Sequence, residues 1–323
     1  MKKRYWFAGG FVLAGVALAA HRLSRPLTLD WREHAASLHH PDRSRFAEVG
    51  GVRVHYQEAG DAGDPALVLI HGFLASNFVW RDVLVPLAAR GFRVVAPDLV
   101  GFGFSGKPAG GDYTIEAQAR AVTGLLDELG IGRATLVGSS YGAAVAAVCA
   151  LDWPERVERL VMVGAVCNDG LRRHPVLRMI AVRGLGELLA PPLLDARYFV
   201  RRRLGRRGAK NGDAEALERR IAGRHLPLRA ADAQRAVIST VRGWSAGRVE
   251  REAAGISRPT LLVWGDADTD TPLRDGETLR RLIPDSRLLT IGGCGHLPQE
   301  ECPQTFAEAV AAFCRNEAVA GAV

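Results

Sequence analysis

The feature that most narrows the fold is a series of short, largely apolar runs spaced along the chain: Leu67–Ile70, Arg93–Ala96, Ala134–Val137, Leu160–Val163 and Thr260–Trp264. Runs of this length, apolar on both alternating faces, describe strands covered on both sides, as in a parallel sheet between two helical layers. Arg53–Glu58 alternates at period two instead, as a half-buried strand does. The stretches between the runs are amphipathic. Thr114 is placed to cap one of these helices and Gly130 to close it. Strand and helix alternating in this order imply an α/β chain with a doubly wound, mostly parallel sheet.

The rhythm breaks between residues 168 and 254. That stretch has no buried-strand run but carries helical Leu/Arg segments and Pro191-Pro192, as an inserted helical cap would. The core is then expected in two pieces, 48–167 and 255–318, which 323 residues can build around one hydrophobic centre. Residues 25–47 are polar and rich in Arg and His, and read as a linker.

Ahead of them, Met1-Lys-Lys-Arg4 precedes the uncharged run Tyr5–Ala20. A helix of that run would be roughly 24 Å long, close to a hydrocarbon core of ~30 Å. Residues 1–24 are therefore expected to be an N-terminal membrane anchor. The alternative is a signal peptide with Ala17-Leu18-Ala19 as its cleavage site. Both readings send the chain to or across a membrane.

Charge is concentrated in the cap. Leu171–Arg229 holds 15 Lys/Arg against five acidic residues, although the whole chain carries only +7. Two readings stand: a solvated helical face, or a cap that rests on an anionic lipid surface through Arg201, Arg202, Arg203, Arg206 and Arg207 with Leu177, Met179, Ile180, Leu185, Leu188 and Leu189 as apolar contacts. Nucleic acid is not expected as a partner, because no recognition motif accompanies the charge. The five cysteines form no CxxC pair and suggest no zinc site; Cys294 and Cys302 are close enough in sequence to bridge, which spacing alone does not establish.

In an open α/β sheet, chemistry sits beyond the carboxyl ends of the strands. Four such segments stand out. Gly138-Ser139-Ser140-Tyr141-Gly142 joins a buried strand to an Ala-rich helix, a turn that presents Ser140 as a nucleophile. His71-Gly72-Phe73 follows another strand, and the backbone amides of Phe73 and Tyr141 are placed to receive an oxyanion. His71 itself is expected to brace the loop. Trp264–Pro272 offers the acid that orients a histidine: Asp268 first, with Asp266 and Asp270 as alternatives and Asp169 as a rival from an earlier strand end. Gly292-Gly-Cys-Gly-His296 puts His296 on a flexible loop after Arg287–Ile291 and completes the order Ser, Asp, His.

From about Glu48 to Phe313 the chain resembles the α/β-hydrolase superfamily. The resemblance rests on His71-Gly72, Asp98-Leu-Val-Gly-Phe-Gly-Phe-Ser105, the Ser140 turn, Gly265-x-x-Asp268-x-x-x-Pro272 and Gly295-His296. Asp98–Pro108 is similar to haloalkane dehalogenases and epoxide hydrolases, but those use aspartate where this chain has Ser140. Cys294-Gly-His296 is similar to meta-cleavage C–C hydrolases, which carry Asn and Trp where this chain has Ser139 and Leu297. The resemblance implies an esterase or lipase like the membrane-associated monoacylglycerol lipases, acting on a small-molecule ester through Ser140, Asp268 and His296. It implies no metal and no cofactor. The alternatives are a C–C hydrolase and a non-catalytic binding member of the fold.

Overall fold

The computed structural model describes residues 26–35, 38–170, 174–194, 221, 223 and 226–323. The N-terminal segment 1–24 and Arg201, Arg202, Arg203, Arg206 and Arg207 lie outside these residues. Among the described residues no helix is long and apolar enough to cross a membrane.

Eight strands form one sheet in the order β1-β2-β4-β3-β5-β6-β7-β8. They are β1 (Ser44–Val49), β2 (Val52–Ala59), β3 (Ala66–Ile70), β4 (Arg93–Pro97), β5 (Ala134–Ser139), β6 (Val157–Val163), β7 (Thr260–Gly265) and β8 (Ser286–Ile291). β1, β2 and β4 pair antiparallel; from β4 through β3 to β8 every pairing is parallel. The apolar runs fill the centre of this sheet, and their period-two alternation splits the core. Val68, Ile70, Leu136, Met162 and Leu262 face one hydrophobic layer; Leu67, Leu69, Val137, Val161 and Leu261 face the other.

The linker reading needs correction at its C-terminal end. Ser44–Val49 is the first strand of the sheet, joined to β2 by Gly50-Gly51, both at positive φ. Two glycines between apolar residues are a hairpin signal, since a tight two-residue turn with left-handed backbone suits the twist of the flanking strands. Further upstream, the Pro26 and Leu27 carbonyls accept hydrogen bonds from Ala231 and Asp232 at 3.0 and 3.1 Å.

The helices follow the sequence pattern. α1 (Leu84–Ala88) lies on one face of the sheet and α2 (Ile115–Glu128) and α3 (Tyr141–Asp152) on the other. Thr114 caps α2, its hydroxyl accepting from the Ala117 amide. Between β6 and β7 come α4 (Pro175–Ala181), α5 (Leu185–Leu194), α6 (Ala231–Arg242) and α7 (Gly247–Glu252), with no strand among the described residues. α8 (Leu273–Leu282) and α9 (Pro303–Cys314) complete the layers.

Beyond β4 the chain winds around one buried carboxylate. Asp98 accepts from the Asn77 amide (2.7 Å) and the Phe104 amide (2.9 Å), and bonds to His55 Nδ1 at 2.7 Å. A side chain on Gly103 would collide with that carboxylate, so the tight loop requires glycine there. Burial would raise the Asp98 carboxyl, but the His55 hydrogen bond and charge, with the Asn77 amide, outweigh it and hold it below its ordinary value. A depressed folded-state value contributes stability that is present above the unfolded value near 4 and lost as pH falls through the folded one. We expect Asp98→Ala to lower stability by about 3–5 kcal/mol at neutral pH, because three donors lose their acceptor in a buried site. The deficit should begin to shrink on acidification below about pH 4, where the unfolded carboxyl takes up a proton, and go on shrinking as pH falls towards the lower folded value. Urea midpoints of both proteins at pH 7 and pH 3 check this; an equal gap at both values would contradict it.

Candidate active site

The turn between β5 and α3 is built by contacts that leave no room for side chains. A methyl group on Gly138 would collide with the Gly142 carbonyl, and one on Gly142 with the carbonyls of Ile70 and His71. Closing so tightly forces Ser140 to φ 57 and ψ −114, a left-handed backbone that L-residues seldom adopt. The Ser140 amide donates to Val163 at 2.8 Å and its carbonyl accepts from Val166 at 3.2 Å, tying the turn to β6. A methyl on Gly72 would sit 3.1 Å from Ser140 Cβ, so the segment leading to Phe73 passes directly over the serine. Tyr141 is the first residue of α3, where the amide has no intrahelical acceptor and lies at the positive end of the helix dipole.

His71 is fully buried and holds this segment in place. Its Nε2 accepts from the Leu99 amide at 3.0 Å and its Nδ1 donates to the Gly72 carbonyl at 2.8 Å. Burial keeps its pKa low, consistent with a neutral ring making one bond of each kind.

His296 arrives from the loop after β8 and is almost completely buried. Its Nδ1 lies 2.8 Å from Asp268 Oδ2, and the carboxylate also accepts from the Thr271 hydroxyl (2.8 Å) and from the Asp270 and Thr271 amides (2.8 and 3.1 Å). Burial would raise the Asp268 carboxyl; the hydrogen bond and charge of His296, joined by the two amides, hold it below its ordinary value instead. Gly164, directly after Val163, packs against this pair, a methyl there falling 3.1 Å from both Asp268 Oδ2 and His296 Nδ1. Serine turn and histidine–aspartate pair thus meet at the Val163–Gly164 corner. Ser140 Oγ and His296 are not hydrogen-bonded to each other in this structure; such bonds are often long without substrate and tighten when it binds.

The other three acids stand elsewhere. Asp169 accepts from the Ala246 and Gly247 amides at 2.9 and 3.2 Å, fastening the start of α7 to the end of β6. Asp266 accepts from the Gly293 amide at 2.8 Å. Asp270 lies on the far side of the imidazole, with Oδ2 3.9 Å from His296 Nε2.

Residues 65–303 match the family model for the alpha/beta hydrolase fold. The chain belongs to the α/β-hydrolase family. It is 31% identical over 279 residues to 2-hydroxymuconate semialdehyde hydrolase of Pseudomonas sp. CF600, covering 84% of this chain and 94% of that one. It is 29% identical over 274 residues to the uncharacterized hydrolase YugF of Bacillus subtilis, covering 82% and 95%. Among solved structures it matches a membrane phospholipase A described as a bacterial virulence factor, at TM-score 0.73 and 28% identity over 98% of this chain and 99% of that one.

Several residues that shape this hydrolase's site lie outside the motifs that carry Ser140, Asp268 and His296. Trp244, two residues after α6, meets the Phe73 ring edge-on at 5.4 Å and lies tilted against the Tyr141 ring at 5.1 Å (centroid distances), so the cap lays an aromatic roof over both segments. Gln299 donates to Ser139 Oγ at 3.2 Å, linking the His296 loop to the serine turn. Cys294 and Cys302 are paired as a disulfide with Cα atoms 6.5 Å apart, bracketing His296; Cys149, Cys167 and Cys314 are free. Within that bracket the Glu301 carboxylate accepts from the Gly295 amide (2.8 Å) and the Leu297 amide (3.2 Å), the two neighbours of His296. An acid five positions after a glycine-histidine loop was the available clue.

Glu301 therefore holds the backbone that aims the imidazole. We expect Glu301→Ala to slow fluorophosphonate labelling of Ser140 roughly 10- to 100-fold, since small displacements of a reacting group cost that much, while the folded circular-dichroism spectrum persists. Labelling at the wild-type rate would show that the disulfide bracket holds His296 without it.

Proposed function

We propose that the chain is a serine ester hydrolase that cleaves apolar carboxylic esters, lipid acyl esters foremost, held at a membrane by residues 1–24. The observation that carries this reading is a serine on a strained, glycine-packed turn beside an imidazole whose Nδ1 is already bound by a buried carboxylate. Serine alcohols are weak nucleophiles until a base takes their proton during attack, and this arrangement supplies one.

In the proposed reaction Ser140 Oγ attacks the ester carbonyl carbon and passes its proton to His296 Nε2. Asp268, on Nδ1, steadies the imidazolium that forms. Negative charge on the former carbonyl oxygen is met by the Phe73 and Tyr141 amides and the amino end of α3. Collapse of this intermediate expels the alcohol, which takes the proton from His296 and leaves an acyl group on Ser140. Water, deprotonated by His296, then releases the carboxylic acid and restores the serine.

Three features favour an apolar acyl ester. Phe73, Tyr141 and Trp244 make an aromatic surface beside Ser140. The matched phospholipase spans nearly the whole chain. Tyr5–Ala20 supplies an apolar run ahead of the domain. C–C hydrolysis of a ring-fission dienone is a second reading, favoured by the 31% identity to the semialdehyde hydrolase. Ser139 and Leu297 depart from the pattern of those enzymes.

A screen of p-nitrophenyl esters of rising acyl length, monoacylglycerols, a phospholipid and a ring-fission dienone separates the two. Turnover of the esters with the dienone inert is the expected result; preference for the dienone would replace ester hydrolysis with C–C cleavage. Ser140→Ala should abolish probe labelling and lower ester turnover by roughly 10³-fold or more, because nucleophile and base act as a unit. Turnover within tenfold of wild type would remove Ser140 from the reaction. Asp268→Ala should cost far more turnover than Asp169→Ala, whose loss instead loosens the cap; the reverse order would transfer the acid's role to Asp169.

A further inference from the structure

The cap ends in a helical hairpin whose outer surface is out of keeping with a soluble domain. α4 turns Ile180 into the core and packs Leu177 against it, and Leu189 on α5 is half-buried, so these three do not lie among the exposed contacts the sequence suggested. Its opposite side is apolar as well. Val176 and Met179 (45% exposed), one helical turn apart, are followed by Val182 (53%) in the connecting turn and by Leu185 and Leu188 on α5. A short helix that is apolar on both sides needs a covering layer on each. These five residues make up most of the large hydrophobic side chains exposed anywhere among the described residues.

The hairpin is held open to the outside by its own bonds. Arg242, at the end of α6, donates to the Ala181 carbonyl (3.1 Å) and the Val182 carbonyl (3.3 Å) and pairs with Glu187 at 2.9 Å. Gly186 passes against the Ile180 carbonyl too closely for any side chain. The apolar side chains therefore point outward because the backbone beneath them is fixed. Arg178 and Arg183 stand exposed among them.

We propose that this hairpin face docks on the surface of an anionic lipid bilayer, the same bilayer that holds the N-terminal segment. Two observations select lipid over a protein partner. The first is charge: Arg178 and Arg183 stand exposed among the apolar side chains, and in sequence Leu171–Arg229 carries 15 Lys/Arg against five acids, a balance that an anionic leaflet attracts. The second is reach. Ala20 ends the apolar run, and Pro26 is already bonded to the first turn of α6. The intervening chain spans at most ~20 Å, and the twelve residues of α6, ~18 Å long, lead from that point to the hairpin. A bilayer holding Tyr5–Ala20 therefore lies within ~20 Å of the start of α6, and meets the hairpin as well when α6 lies along its surface. The proposal rests on the membrane reading of residues 1–24 and not on the chemistry of Ser140.

The test uses the full chain in phosphatidylethanolamine/phosphatidylglycerol proteoliposomes containing a diazirine-bearing phospholipid, with adducts mapped by mass spectrometry after illumination. Adducts are expected on peptides covering residues 174–190 as well as on residues 1–25, and few at exposed Leu282 on α8. Val182→Asp with Leu185→Asp should cut the 174–190 adducts about tenfold and spare those on residues 1–25. Replacing the phosphatidylglycerol with phosphatidylcholine should lower hairpin labelling severalfold. Adducts on residues 1–25 with none on 174–190 overturn the docking face, and absence of adducts from both overturns the membrane reading beneath it. Hairpin-to-hairpin protein crosslinks in place of lipid adducts would assign the face to a second copy of the chain. Labelling insensitive to lipid charge would remove the electrostatic part. None of these readouts requires turnover, so an inactive Ser140 would sink the ester reading and leave this one standing.

Discussion

Everything in the active site depends on how closely the backbone after β5 presses on its neighbours. Gly138, Gly142 and Gly72 allow main chain to lie on main chain, with Ile70, His71 and the Ser140 side chain as the contacts. That closeness forces the left-handed Ser140, sets the amide of Tyr141 at the head of α3, and brings the Phe73 segment over the serine. α3 follows suit: from Tyr141 to Ala150 it is buried on all sides, and its run of alanines lets it lie against the sheet. Larger side chains would need space that close packing does not leave.

The supporting residues form two braces around this point. On one side Asp98 gathers His55, Asn77 and Phe104, while the neighbouring Leu99 amide fixes His71 and with it the Phe73 loop. On the other, Asp268 and Thr271 hold the imidazole, and Glu301, Gln299 and the Cys294–Cys302 bracket hold the loop that carries it. Both braces spend buried polar groups on positioning rather than on adding apolar area. Most of these polar atoms are bonded, which offsets the cost of their lost hydration; His55 Nε2 and Gln299 Oε1 are buried without a partner among the described residues.

Most of this arrangement is legible in the chain because it is local. Buried strands announce themselves as continuous apolar runs, and the residues that follow them fall at the carboxyl edge by topology alone. Ser140, Asp268 and His296 could be named for that reason, as could the insertion between β6 and β7. The rest is either masked by composition or non-local. β1 was hidden by its polar composition, although Gly50-Gly51 marked the hairpin that joins it to β2. The position of Asp169 beside α7 depends on how the cap folds back, which no spacing along the chain reveals. Trp244 is 104 residues from Ser140 in sequence, and only the path of α6 brings it over Phe73 and Tyr141.

That path has a mechanical side. Arg242 is bonded into the α4–α5 turn, and Trp244, two residues later, rests on the aromatic rings above the serine. The exposed α4–α5 turn and the indole over Phe73 and Tyr141 are thus opposite ends of a single short linkage. The residue that fastens the exposed turn and the indole that covers Phe73 and Tyr141 are separated by a single peptide unit, Gly243.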